Sequence, residues 1–97
     1  MVISFIFSYP PKSAKEYAQL ATELPPLPEY ITMKGPYINR AAEEDIITIA
    51  LYEFDKSRFA EASKHIFNQL GAFHGVSGFT FSARVLAEGR EVEKISN

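Results

Sequence analysis

An α+β plait, a four-stranded antiparallel sheet with both helices on one face, is the fold class that the sequence predicts. Three observations point to it. The 97 residues pass from stretches of period two to stretches of helical period in the order strand, helix, strand, strand, helix, strand. Only the second strand stretch carries an internal Gly-Pro pair. The two most apolar stretches, 2–9 and 46–54, are the ones that such a plait places at the centre of its sheet.

Residues 2–9 are almost all β-branched or aromatic, with Ile3, Phe5, Phe7 and Tyr9 alternating against Val2, Ser4, Ile6 and Ser8. Pro10 and Pro11 end this strand, and Ser13 with Glu16 three residues on forms a capping-box pattern that opens a helix. Tyr17, Leu20, Ala21 and Leu24 recur at helical spacing until Pro25, Pro26 and Pro28 stop the run. Residues 30–39 form the second strand. Its Gly35-Pro36 pair assigns it to a sheet edge or a bulge, because proline has no N–H to donate to a ladder. A polar turn, 40–45, leads to the third strand, 46–54. There Ile47, Ile49 and Leu51 oppose Ile46, Thr48, Ala50, Tyr52 and Phe54, and both sets are mostly apolar. Asp55 or Ser57 caps a second helix with an inward stripe of Phe59, Ala62, Ser63, Ile66, Phe67 and Leu70, and Gly71 is expected in the left-handed position that ends it. The fourth strand, 76–87, sets Phe79, Phe81, Ala83 and Val85 against Thr80, Ser82, Arg84 and Leu86. Glu88-Gly89 permits a reversal, after which 90–95 reads as a short extra strand or as a frayed tail.

Two right-handed strand-helix-strand units give one ferredoxin-like βαββαβ domain, residues 1–97, with spatial strand order fourth, first, third, second. The pattern assigns Ile3, Phe5, Phe7, Ile47, Ile49, Leu51, Phe79 and Phe81 to the helix side. Ser4, Ile6, Ser8, Thr48, Ala50, Tyr52, Thr80, Ser82, Arg84 and Leu86 are left outside. A sheet face open to water is usually polar. Here only Arg84 on that face is charged, so a partner is expected to cover it.

Composition narrows the function. Ten Lys and Arg against twelve Asp and Glu, with a pI near 5.6, provide no field for a polyanion, so no nucleic acid partner is expected. The chain has no Cys, which removes disulfides, thiolate metal sites and thiol catalysis. Residues 1–7 have no basic leader region, and no run approaches the about 20 apolar residues of a membrane span. The expected location is the cytoplasm, without membrane contact. Small size argues for association, because a chain this short buries only about 60–65% of its unfolded surface.

The element order, the semi-apolar outer face and the segment Phe73-His74-Gly75-Val76-Ser77-Gly78-Phe79 together resemble the dimeric α-β barrel superfamily. That resemblance implies a homodimer packed sheet to sheet. It also implies a choice among cofactor-independent monooxygenases, haem degraders, stress-responsive proteins and members without assigned activity. The haem branch is disfavoured, because the chain has no Trp and its Asn, Trp and His set does not map here.

The cavity or ligand candidates are Ser4, Ile6, Thr48, Tyr52, His74, Ser82 and Arg84. Arg84 and Tyr52 on one apolar face would orient a carboxylate, enolate or phenolate, although Arg84 also reads as a strand-end cation or a partner's ion pair. His74, in a Gly-flanked loop, reads as a base at a cavity rim or as a solvated histidine. His65 lies on the polar side of its helix, and the two histidines lack the spacing of a helical metal site, so no metal is assigned. The run 43–45 lacks the spaced oxygens of a calcium loop. Gly75 and Gly78 precede a strand, unlike a phosphate loop. The small hydroxyls bring no Ser-His-Asp order. An RNA-recognition strand, an acylphosphatase arginine and a metallochaperone Cys pair are all missing. Two readings stand, both without a cofactor. One is a homodimer that binds a small apolar or aromatic ligand or a protein through the open sheet face. The other is a monooxygenase- or isomerase-like enzyme for a small aromatic or polyketide-like substrate.

Overall fold

The structure, a computed structural model, describes residues 1–39 and 44–87. Its elements are β1 (Val2–Tyr9), α1 (Ala14–Thr22), β2 (Thr32–Asn39), β3 (Ile46–Glu53), α2 (Phe59–Gly71) and β4 (Thr80–Leu86). The strands form one antiparallel sheet in the order β2-β3-β1-β4. This is the plait that the hydrophobic periods predict, with the Gly-Pro strand at an edge. Most of the expected 40–45 turn and all of the 90–95 segment lie outside the described residues.

Aromatic contacts place both helices on the same face. Tyr17 of α1 stacks on Tyr9 with ring centroids 4.5 Å apart, while Phe67 of α2 meets Phe5 edge-on at 5.5 Å. Phe5 and Tyr9 point the same way, being four residues apart on β1. The buried core gathers Ile3, Phe5, Phe7 and Tyr9 with Ala62, Ile66 and Leu70 of α2, with Phe54 beside Met1 and Phe59, and Phe73 against Phe7 and Tyr17. No helix among the described residues is long and apolar enough to cross a membrane.

Register overturns the face assignment of β3. Directly opposed residues in an antiparallel pair share a face, and Phe5 stands opposite Ala50, Ile3 opposite Tyr52 and Phe7 opposite Thr48. The helix side of β3 is therefore Ile46, Thr48, Ala50 and Tyr52, all buried, and Ile47, Ile49 and Leu51 look outward. The physical reason is volume. The rings of Phe5 and Phe7 need small cross-strand neighbours to reach native packing density, which Ala50 and Thr48 provide and isoleucine would not. The expected interior changes in other places too. Phe59, Phe67 and Phe81 are 38%, 47% and 57% exposed, at the margin of the core.

Local details also differ from expectation. Ser13 does not close a capping box: a 3₁₀ turn, Pro11–Ser13, precedes α1, and the Ser13 hydroxyl donates to the Ser77 carbonyl at 2.7 Å. That bond fastens the start of α1 to the loop before β4. Asp55 caps the 3₁₀ turn Lys56–Arg58 that leads into α2 and not α2 itself, whose first turn has no side-chain cap; its Oδ1 accepts from the Ser57 amide at 2.9 Å, and this bond holds the exposed carboxyl below the usual range. β4 starts at Thr80 and not at Val76, because Phe73 to Phe79 coils through successive turns. Gly71 is not left-handed; Gly78 is, with φ 76°, and a Cβ there would sit 2.7 Å from Pro10 Cδ. Gly78→Ala should therefore cost about 1–3 kcal/mol. Gly71→Ala meets nothing within 4 Å and should raise stability by about 0.5 kcal/mol. Urea denaturation of the two variants separates these outcomes.

Candidate functional site

The seven sequence candidates do not converge. Ser4, Ile6, Ser82 and Arg84 lie on the outer sheet face, where Ser4 opposes Arg84 and Ile6 opposes Ser82 across β1 and β4. Thr48 and Tyr52, expected beside them, are buried on the helix side instead. His74 is exposed in the loop after α2, where it lines an open groove of about 650 Å³ with Phe67, Leu70, Phe79, Thr80 and Phe81. A cation, a phenol and an imidazole thus stand on three separate surfaces. No group of three or more metal-ligating side chains occurs among the described residues.

The outer face can be laid out from the register. Across its middle run Tyr37, Ile49, Ile6 and Ser82; the rows beside it are Lys34, Leu51, Ser4 and Arg84, then Asn39, Ile47, Ser8 and Thr80. The centre is aliphatic and the border polar. Lys34 pairs with Glu53 at 3.1 Å at one corner, and the hydroxyls of Ser8 and Thr80 share a hydrogen bond of 2.8 Å at the other end.

A second site, invisible to the sequence pattern, lies on the helix side. Between Lys34 and Tyr37 the register of β2 slips, so Gly35 and Pro36 form a bulge against Ala50. Gly35 has φ 99°, and a Cβ on it would come within 2.9 Å of the Ile49 carbonyl oxygen, so the bulge requires glycine. A small floor at Ala50 beside a bulged edge leaves room under α1, which contributes no fully buried residue. The resulting cleft of about 270 Å³ is walled by Phe7, Tyr17, Leu24, Tyr52, Leu70 and Phe73, with Met33 and Pro36 on its β2 side. Gln69 spans the top, its side-chain amide donating to the Pro25 carbonyl at 2.8 Å and joining α2 to the chain beyond α1.

Burial pushes the Tyr17 hydroxyl up to about 12, and the neighbouring phenols of Tyr9 and Tyr52 add to the shift. Burial also raises Tyr52. Both are thus neutral hydrogen-bond donors at physiological pH. A pKa raised on folding means that the native state holds the proton more tightly. The stabilisation is complete below the unfolded value of about 10 and is lost as pH rises toward 12. Stability measured in urea should accordingly fall over that window, and Tyr17→Phe should flatten the fall. Close by, Thr48 Oγ1 is buried with no hydrogen-bond partner among the described residues, an arrangement that costs about 1–3 kcal/mol.

No family model matches the chain, and no curated protein does. Among solved structures, the de novo designed protein Foldit4 is similar over 89% of this chain and 97% of that chain, with 8% sequence identity and a TM-score of 0.45. Nothing about function transfers from a likeness of that order.

Proposed function

We propose that the protein is a homodimeric binding protein whose two copies join through their outer sheet faces. One observation carries this reading: the aliphatic centre of Ile6, Ile47, Ile49 and Leu51, framed by hydroxyls and single charges. An apolar core with a polar rim is the anatomy of a protein interface, and contiguous apolar surface of this extent is uncommon on a free monomer. Three strands of eight residues and one of seven present a footprint of about 500 Å² before side-chain relief is counted, which approaches the about 800 Å² per partner of a standard interface. A second copy fits this face better than a charged partner does. Among the described residues Arg84 has no ion-pair partner, and Lys34 is already paired with Glu53. Catalysis is the weaker reading, since Tyr52, Arg84 and His74 do not surround a common point.

Sedimentation equilibrium at micromolar concentration tests the proposal. The wild type should run as a dimer, and Ile49→Glu should run as a folded monomer. A monomeric wild type, or an intact Ile49→Glu dimer, would remove this interface.

A further inference from the structure

We infer that the cleft under α1 binds an uncharged, planar aromatic molecule of one or two rings that carries a hydrogen-bond acceptor oxygen. The site lies on the face opposite the proposed dimer interface, so the inference rests on the binding reading and not on the dimer.

Size sets the first limit. A cavity of about 150 Å³ takes one benzene ring, so about 270 Å³ admits a substituted ring or a fused pair. The walls set the second: the rings of Phe7, Tyr17 and Phe73 line the cleft, their centroids 4.8–6.3 Å apart, which favours a flat aromatic guest over a branched aliphatic one. Charge sets the third, because among the described residues no Lys, Arg, Asp or Glu lines the cleft and a buried ionic guest would stay unpaired. Polarity sets the last. The hydroxyls of Tyr17 and Tyr52 make no hydrogen bond with the described residues. A tyrosine is neutral at physiological pH, and burial only raises these two further, so each has a proton to give to a carbonyl or ether oxygen. Admission is by the β2 side, where Met33 is 40% exposed and its unbranched side chain can adapt to the guest.

The probes are 2-acetylnaphthalene, which has the acceptor, and naphthalene, which lacks it, each titrated into the full chain and followed by amide chemical shifts. Saturable binding of 2-acetylnaphthalene is expected, with shifts centred on Ala50, Tyr52, Gln69 and Phe73. Tyr52→Phe should weaken it about fivefold to tenfold, the value of one hydrogen bond, and leave naphthalene unaffected. Ala50→Leu should abolish binding of both by filling the floor, while Ile49→Glu should bind as the wild type does whatever its oligomeric state. If the Ala50→Leu spectrum shows an unfolded chain, Tyr52→Phe, which removes a single oxygen, decides the matter. No saturation at the solubility limit, shifts centred on Ile6 and Ile49, or unchanged affinity in Tyr52→Phe would each overturn the assignment.

Discussion

Ala50→Glu is expected to abolish folding, whereas Ile49→Glu, one residue away, is expected to leave the fold intact. Ala50 is 1% exposed and stands directly opposite Phe5, so a carboxylate there would be forced into the apolar cleft, where no cation among the described residues meets it. An unpaired buried charge costs at least about 3–5 kcal/mol even after local relaxation, and a domain of this size has only about 5–15 kcal/mol to lose. Ile49 points the other way and is 38% exposed, so a glutamate at that position keeps its hydration in the free chain. Its effect should fall on association alone. Far-ultraviolet circular dichroism reads the contrast directly: loss of signal for Ala50→Glu and retention for Ile49→Glu. A folded Ala50→Glu would mean that the β1–β3 register is shifted by one residue, which exchanges the two faces of β3.

Phe5→Ala should be the most damaging truncation in the core, at about 3–5 kcal/mol. Phe5 is fully buried at the centre of β1, meets Tyr52 and Phe67 edge-on at 5.7 and 5.5 Å, and has Phe81 at 6.4 Å. Removing the ring forfeits its own burial and leaves three other rings without a common partner. Phe67→Ala, by contrast, truncates a side chain that is 47% exposed and should cost only about 1–2 kcal/mol. Chemical denaturation of both variants gives the comparison. Equal losses would show that α2 sits deeper on the sheet than its exposed stripe implies.

Element order, strand order and the edge position of the Gly35-Pro36 strand were legible in the chain itself, because each follows from a local property. Period two or 3.6, a missing proline N–H and the fixed hand of a crossover leave little for distant residues to decide. The aromatic side of β1 was equally plain, since Ser4 and Ser8 interrupt one face and nothing interrupts the other. β3 was not legible. Both of its faces are apolar, and Ile47, Ile49 and Leu51 turn outward although their alternation reads as the more uniformly aliphatic side. Which set goes inside depends on the partner strand, where bulky Phe5 and Phe7 select Ala50 and Thr48 as neighbours. The ligand candidates divided for the same reason, leaving Arg84 outside while Tyr52 went in. The cleft that Tyr52 joins needs a bulge on β2, a small residue on β3 and a helix that buries none of its residues fully. The chain therefore determined its elements and their order through local periodicity, and the tertiary structure alone decided inside from outside on β3 and opened the cleft, because volume complementarity between strands distant in sequence is a property of pairs and not of residues.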